Sequence, residues 1–377
     1  MEAVTTVTTP NIAFIDLATQ QDALREELDR RISAVLAHGQ YIMGPEVAEM
    51  ELALAAKLGG VHCISVASGT DALLISLKAL GIGHGDEVIL PAFTFAATAE
   101  VVLLAGATPL LVDIEADTCN VDVVAIEQAI TDRTRAIMPV SLYGQPADMD
   151  EINALAERHD IAVIEDAAQS FGAEYKGKKS GRLSKLGCTS FFPSKPLGCY
   201  GDGGAIFTDD AELAQVCREI RIHGQSARYV HSRIGLAGRM DTLQCAIILA
   251  KLQRFDWEIA RRLEVGERYN RMFDEAGIQR VQQRPDRTSA FAQYTIFVEN
   301  RAAVQGALKA RGIPTAVHYP VPLNEQSAYR EKCRFGSLPH SERASKTVLS
   351  LPMHPDLQPA VQDRIVEAVI QSTEPRS

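Results

Sequence analysis

Lys195 stands in a segment that could turn a lysine into a nucleophile. It lies between Pro193 and Pro196, and the next stretch is rich in glycine: Gly198, Gly201, Gly203 and Gly204. The prolines restrict the backbone, and the glycines let a bound group approach closely. Because the pKa of a lysine falls readily when it is shielded from water, such a side chain can form a Schiff base with a carbonyl group. A solvated loop lysine is the common alternative, and the rigid setting weighs against it.

Two neighbouring carboxylates, Glu165 and Asp166, end the apolar run in IAVIEDAAQS, residues 161–170. In open α/β sheets, ligands bind at the carboxyl ends of parallel strands. A carboxylate in that place could bind a metal, a ribose hydroxyl or a protonated ring nitrogen. Capping of the following helix is an equally good explanation, so the carboxylates alone leave both roles open.

A third candidate is the turn at residues 67–70, where an apolar strand leads into a helix that starts near Asp71. Backbone N–H groups at a helix N-terminus bind anions, Gly69 permits close approach, and Thr70 adds a hydroxyl. This pattern predicts a phosphate cradle. Ordinary capping of the helix by Ser68 or Thr70 is the more common role for such residues.

Short apolar runs alternate with helical patterns along the part of the chain that carries these residues. Seven strands are predicted, at residues 63–66, 87–90, 108–112, 136–140, 162–165, 188–192 and 205–208. The helical patterns between them cover residues 71–80, 94–104, 121–129 and 149–158. The alternation predicts an α/β fold in which a mainly parallel seven-stranded sheet is covered on both faces.

The pattern changes in the last third of the chain. Helices are predicted at residues 211–221, 241–251 and 255–264, followed by a strand at 292–300 and a helix at 301–311. We therefore expect a large domain at residues 12–260 and a smaller α+β domain at residues 261–377.

Composition narrows the class of protein. The chain has 377 residues, 46% hydrophobic, and a net charge of −10, which disfavours nucleic acid as the main partner. Seven scattered cysteines without a CxxC pair indicate reduced thiols and no metal site. The N-terminus does not look like a secretory signal, and no apolar stretch is long enough to predict a membrane span. These features predict a cytoplasmic protein.

Taken together, the three segments supply a phosphate cradle, a carboxylate and a rigidly held lysine from strand ends of one sheet. Pyridoxal phosphate requires these three groups: an anion site, an acidic partner for its pyridinium nitrogen and a lysine that forms an imine with it. The sequence therefore predicts pyridoxal 5'-phosphate as cofactor.

The whole chain, over residues 12–370, resembles the DegT/DnrJ/EryC1/StrS family of fold-type I, pyridoxal phosphate-dependent nucleotide-sugar aminotransferases. The shared motifs lie at residues 14–17, 68–73, 91–99, 140–150, 163–173, 190–208, 238–244 and 317–323. Within the family, the motifs are most similar to the branch that aminates C3 of UDP-2-acetamido-2-deoxy-3-oxo-glucuronate for the O-antigen of bacterial lipopolysaccharide. That implies a UDP-linked keto-sugar and L-glutamate as substrates, and a homodimer with shared active sites. Another nucleotide-linked keto-deoxyhexose, aminated at C3 or C4, is the alternative substrate.

The resemblance also implies roles for individual residues. Lys195 is the catalytic residue and joins the cofactor covalently, and Asp166 pairs with the pyridinium nitrogen. The other expected cofactor contacts are Gln169 at the ring 3′-oxygen, Phe95 stacked on the ring, and Gly69, Thr70 and Ser190 at the phosphate. The residues expected to meet the sugar acid are Arg239, His318 and Tyr319.

One position departs from the family. Relatives often have Asn-x-Arg where this chain has Ala237-Gly238-Arg239, and that Asn commonly reaches the neighbouring subunit's cofactor phosphate. Ala237 cannot make this bond.

The residues around this position are unusually basic. Residues 218–239 contain five arginines and a single acid, Glu219. This run could form a positive surface for a diphosphate and a carboxylate, or it could be a solvated basic loop.

Overall fold

The computed structural model describes residues 12–373. Its strands are β1 (His62–Val66), β2 (Glu87–Pro91), β3 (Thr108–Val112), β4 (Thr134–Ile137), β5 (Ala162–Asp166), β6 (Glu174–Tyr175), β7 (Lys178–Lys179), β8 (Leu186–Ser190), β9 (Gly204–Thr208), β10 (Gln225–Ala227), β11 (Val230–His231), β12 (Tyr294–Phe297), β13 (Arg334–Phe335) and β14 (Val348–Leu351). Its α-helices are α1 (Leu17–Ala23), α2 (Arg25–His38), α3 (Pro45–Lys57), α4 (Gly69–Ala79), α5 (Ala97–Leu104), α6 (Val123–Ala129), α7 (Met149–Arg158), α8 (Ala211–Arg221), α9 (Thr242–Glu275), α10 (Arg301–Ala310), α11 (Pro339–Thr347) and α12 (Pro359–Thr373).

The central sheet has eight strands in the order β1-β9-β8-β5-β4-β2-β3-β13. All pairs are parallel except those of β9, which runs antiparallel to both β1 and β8. The seven predicted strands are confirmed, and β13 adds an eighth at the edge of the sheet. Because β1, β5 and β8 run in the same direction, the three segments singled out from the sequence end at the same edge.

The central strands are buried on both faces, and β2 shows how. Val88 and Leu90 pack with α4, α5 and α8 on one face, whereas Ile89 packs with α6 and α7 on the other. This explains why the strands form continuous apolar runs rather than alternating ones. Each fully buried aliphatic side chain of this kind stabilises the fold by about 1.5–3 kcal/mol.

Helix α9 is 34 residues long and spans the two predicted helices at 241–251 and 255–264 without a break. Its first half packs with α2 and α3 against the sheet, through residues such as Ile248 and Phe255. Its second half contributes Tyr269 and Phe273 to the core around β12 and β14. The domain boundary predicted near residue 260 therefore falls inside a continuous helix.

The C-terminal part is tied to the sheet by specific polar contacts as well. The carboxylate of Asp113, just after β3, accepts hydrogen bonds from the N–H groups of His340 (2.9 Å) and Ser341 (2.8 Å). These are N–H groups of the first turn of α11, which a carboxylate satisfies well. Within residues 12–373, none of the helices combines the length and apolarity needed to cross a bilayer.

Candidate active site

The loop that carries Lys195 is folded tightly back on itself. The Lys195 N–H donates to the carbonyl of Phe192 (2.9 Å), and the Cys199 N–H donates to the carbonyl of Phe191 (2.7 Å). A Cβ on Gly198 would lie 2.5 Å from the Pro193 carbonyl oxygen, so only glycine fits at that position. The rigid setting expected from the prolines and glycines is thus present.

Lys195 and Asp166 face the same space at the carboxyl edge of the sheet. Burial lowers the pKa of the Lys195 ammonium, and the opposite charge of Asp166 offsets this only in part. Burial likewise raises the pKa of the Asp166 carboxyl, against the lowering effects of the Ala168 N–H, Lys195 and Thr98. Because each group shifts the pKa of the other, the two form an electrostatically coupled pair.

The adjacent carboxylates of Glu165 and Asp166 have different surroundings, because successive residues of a strand point to opposite faces of the sheet. Asp166 faces Lys195, whereas Glu165 is fully buried on the other side. Glu165 accepts hydrogen bonds from the Ser180 hydroxyl (2.8 Å) and from the N–H groups of Gly181 (2.9 Å) and Leu183 (3.0 Å). Glu165 therefore anchors the loop that precedes β8, and the carboxylate at the site is Asp166.

The turn between β1 and α4 forms a narrow cradle at the same edge. Ser68 caps the helix, since its Oγ accepts from the Asp71 N–H at 3.0 Å. The preceding N–H groups, those of Gly69 and Thr70, remain at the helix N-terminus. A Cβ on Gly69 would lie 2.6 Å from the Cβ of Ser190. Capping by Ser68 therefore leaves the N–H groups of Gly69 and Thr70 available for an anion.

We expect Gly69→Ala to weaken pyridoxal phosphate binding by about 10- to 100-fold, because overpacking of this size costs about 1–3 kcal/mol. The extra methyl group would collide with Ser190 at the point where a phosphate would enter the cradle. Absorbance titration of the cofactor-free protein measures the dissociation constant. Gly306→Ala is the matched control, because Gly306 is also helical and a Cβ there meets nothing within 4 Å. Equal affinity in both variants would contradict the cradle.

Gln169 is held in one orientation by Tyr143 and Tyr319. Its Oε1 accepts from the backbone N–H of Tyr143 at 2.8 Å, and its Nε2 donates to the Tyr319 hydroxyl at 3.2 Å. Tyr143 can present its N–H because it adopts a left-handed conformation, with φ +58°. The amide therefore offers a donor, not an acceptor, to the space beside Tyr319.

Aromatic side chains line the mouth of this space. The Phe95 ring is 56% exposed, and its centroid lies 6.0 Å from that of Tyr319. A ring that is exposed beside this space is available for stacking on a planar ligand.

His318 joins the same site from the C-terminal part of the chain. Its Nδ1 lies 3.1 Å from Ser350 Oγ, and its carbonyl oxygen accepts from the Tyr143 hydroxyl. Burial and the charge of Lys195 lower the pKa of His318, which favours its neutral imidazole.

Not all of the arginines in residues 218–239 are available to bind a ligand. Arg221 is buried and pairs with Glu51 (2.6 Å), and Arg233 pairs with Glu219 (2.7 Å). Both charges are thereby committed to structural contacts. Arg239, half-buried, forms no ion pair within residues 12–373, so its guanidinium is free to meet an anionic ligand.

These groups fit pyridoxal phosphate. The narrow cradle at Gly69, Thr70 and Ser190 suits a phosphate, and the amide donor of Gln169 suits a phenolic oxygen. Asp166 suits a protonated ring nitrogen, and Lys195 an aldehyde. All the residues predicted for the cofactor thus come together at one edge of the sheet. The contacts of Tyr143, which lies in the shared motif at residues 140–150, and of Ser350 were not predicted.

Comparisons with known proteins agree with this geometry. Residues 22–370 match the DegT/DnrJ/EryC1/StrS aminotransferase family. The chain is 56% identical to the UDP-2-acetamido-2-deoxy-3-oxo-D-glucuronate aminotransferase of Pseudomonas aeruginosa, over 93% of this chain and 97% of that protein. It superimposes on S. venezuelae DesV with a TM-score of 0.95 at 40% identity, covering 98% and 100% of the two chains. NtdA from Bacillus subtilis, with bound cofactor PMP, gives a TM-score of 0.88 at 33% identity, covering 96% and 83%.

Fold and site together define a fold-type I, pyridoxal phosphate-dependent aminotransferase. The chain belongs to the DegT/DnrJ/EryC1/StrS aminotransferase family, as the sequence motifs predicted.

Proposed function

We propose that this enzyme aminates C3 of UDP-2-acetamido-2-deoxy-3-oxo-glucuronate with L-glutamate as donor, in the cytoplasm, for bacterial O-antigen biosynthesis. The observation that carries the proposal is the 56% identity to the P. aeruginosa aminotransferase, which extends over nearly the full length of both proteins. The free guanidinium of Arg239 supports it, because a sugar acid brings a carboxylate that a neutral hexose lacks.

The cofactor, when bound, supplies an aldehyde that condenses with amines and a cationic ring that accepts electrons from the substrate carbon. Asp166 holds the proton on the ring nitrogen by its negative charge. Lys195, once released, has a lowered pKa and takes the proton from the donor carbon that bears nitrogen. Lys195 would pass that proton to the cofactor, and in the second half of the cycle it would take a proton from the cofactor and give it to C3 of the sugar.

The remaining residues position the reactants. Gly69, Thr70 and Ser190 bind the phosphate, Gln169 donates to the ring 3′-oxygen, and Phe95 packs on the ring face. His318 and Tyr319 meet the sugar through polar contacts, whereas Arg239 pairs with the C6 carboxylate.

Removal of the Arg239 guanidinium should weaken the binding of sugars that carry a carboxylate at C6. We expect Arg239→Ala to raise KM for the uronate by about 10- to 100-fold, the loss typical of a charge-assisted hydrogen bond. KM for the matching sugar with CH₂OH at C6 should change little. Steady-state kinetics with both sugars measures the difference. Arg233→Ala is the control, because that arginine is committed to Glu219. A uronate preference that survives Arg239→Ala would remove Arg239 from the substrate site.

A panel of UDP- and dTDP-linked keto-sugars, incubated with glutamate and followed by mass spectrometry, tests the function as a whole. We expect amination of the UDP-linked 3-keto uronate at a rate at least about tenfold above the other sugars, as the extra contact to the carboxylate requires. Faster amination of a dTDP-linked keto-deoxyhexose would replace this proposal by the alternative substrate.

We also propose that the enzyme is a homodimer whose active sites are shared. Large apolar side chains are exposed on the β10–β11 hairpin and just after it, with Tyr229 78% and Ile234 84% exposed. Phe192, beside the Lys195 loop, is 51% exposed. Apolar surface of this kind near a binding site is typical of a subunit interface. Light scattering coupled to size-exclusion chromatography tests the assembly, and a monomer would contradict it.

A further inference from the structure

A buried chain of hydroxyls leads from the C-terminal part of the molecule to the active-site histidine. Thr295 on β12 and Ser350 on β14 are cross-strand partners, and their hydroxyl oxygens lie 3.0 Å apart. Ser350 Oγ is also 3.1 Å from Nδ1 of His318. Both hydroxyls are buried, with exposures of 3% and 0%, so water does not compete for them.

The backbone fixes this arrangement as firmly as the side chains do. The N–H of Ser350 donates to the carbonyl of Ala316 at 2.8 Å, and the Ala316 N–H donates back at 3.1 Å. Two residues later, the His318 carbonyl accepts from the Tyr143 hydroxyl. The imidazole is therefore held by Ser350 of β14, and the backbone of His318 is held by Tyr143, which lies in a short turn at residues 142–144.

The number of hydroxyl protons shows in which direction the hydrogen bonds between Thr295, Ser350 and His318 are donated. Within residues 12–373, Ser350 Oγ is the only hydrogen-bond partner found for the Thr295 hydroxyl. If Thr295 donates to Ser350 and Ser350 donates to Nδ1, both hydroxyl protons are bonded. In the opposite direction, Nδ1–H donates to Ser350, Ser350 donates to Thr295, and the Thr295 proton has no acceptor. A buried donor without an acceptor costs about 1–3 kcal/mol. The favoured arrangement is therefore the one in which Thr295 donates to Ser350 and Ser350 donates to Nδ1 of His318.

We propose that Thr295 and Ser350 are positioning residues that fix His318 as the tautomer with a proton on Nε2. The ring nitrogen opposite Ser350 then points a hydrogen-bond donor into the cleft that holds Lys195. In this state His318 has no free lone pair in the cleft and cannot act as a base, which leaves proton transfer at carbon to Lys195.

The donor selects for oxygen acceptors on the ligand. This part of the inference rests on the proposed function: a keto or hydroxyl oxygen of the sugar ring is the group that His318 Nε2–H would bind. The Lys195 amine and the rings of Phe14 and Tyr319 also lie near the imidazole. A cationic imidazole would repel the Lys195 ammonium, whereas the neutral tautomer binds oxygen without adding charge.

Nitrogen-15 spectroscopy of histidine-labelled holoenzyme without sugar tests the tautomer directly. The chain has 9 histidines, and a His318→Gln sample identifies the resonances of His318. We expect an unprotonated Nδ1 and a protonated Nε2 at pH 8. A protonated Nδ1 would overturn the proposal. Because no sugar is present, this result is independent of the substrate panel.

The pKa of His318 gives a second test, because the two directions of donation between Ser350 and His318 predict pKa shifts of opposite sign. A donor to Nδ1 favours the neutral ring, so Ser350→Ala should raise the pKa of His318. If Ser350 were instead the acceptor, the same change would lower it, and the proposal would fail. Thr295→Ser keeps the hydroxyl chain and should leave both the tautomer and the pKa unchanged. In kinetics, Ser350→Ala should raise KM for the keto-sugar about tenfold, with kcat within about threefold of wild type.

Discussion

Lys195→Ala is expected to lower kcat by at least about 10⁴-fold, because it removes both the covalent attachment and the general base. The purified variant should also lose the visible absorbance that the wild-type enzyme owes to its lysine-bound cofactor. The fold should persist, since the loop is held by the backbone N–H groups of residues 195 and 199. Substitution of the Lys195 side chain by alanine leaves both of these hydrogen bonds in place. Product formation by mass spectrometry and the absorbance spectrum measure the two effects.

Lys251 provides a stringent control. It is buried in α9, and burial lowers its pKa to about 8, a shift in the same direction as that of Lys195. Its ammonium, however, lies over the Tyr200 ring, 4.5 Å from the centroid, and not beside Asp166. Lys251→Met should retain kcat within about threefold, as expected for a residue outside the site. Turnover by Lys195→Ala close to that of Lys251→Met would contradict the role of Lys195.

Asp166→Asn is expected to lower kcat by about 10²–10³-fold, comparable with the loss of one preorganised electrostatic group in other enzymes. The amide has nearly the same shape and can still accept from the Ala168 N–H. It carries no charge, so it cannot hold a proton on the ring nitrogen. The rate of the glutamate half-reaction, followed by the bleaching of the visible band, measures the effect.

Glu165→Gln separates this role from general loss of structure. Its amide nitrogen would face the donors Ser180, Gly181 or Leu183, so the free energy of unfolding should fall by about 1–3 kcal/mol. The glutamate half-reaction should stay close to wild type. If Asp166→Asn also kept a near wild-type rate, Asp166 would not be the partner of the ring.

The central sheet could be predicted because its strands are buried on both faces. Segments such as β2 are then apolar without interruption, and the helices between them show a clear period. The boundaries were less accurate: the helix predicted at residues 94–104 begins at Ala97, since Thr94–Ala96 form the turn that places Phe95. The edge strand β13 was missed because two exposed residues, Arg334 and Phe335, carry no strand pattern.

The site was predictable only in its short-range features. Lys195, Asp166 and Gly69 each stand in a local pattern with a chemical meaning, and the parallel sheet brings them to one edge. Tyr143 contacts Gln169, which is 26 positions away in the sequence, and Ser350 contacts His318, which is 32 positions away. No local sequence pattern encodes such contacts. For the same reason the sequence could not tell that Arg221 and Arg233 pair with acids, whereas Arg239 has no acidic partner among residues 12–373.

Borohydride reduction of the holoenzyme, followed by peptide mass mapping, tests the central claim most directly. Reduction converts a lysine-bound cofactor into a stable secondary amine at the residue that carries it. The pyridoxyl mass is expected on the peptide that contains Lys195 and on no other. A pyridoxyl group on Lys251 or another lysine, or a holoenzyme that cannot be labelled at all, would contradict the active site described above.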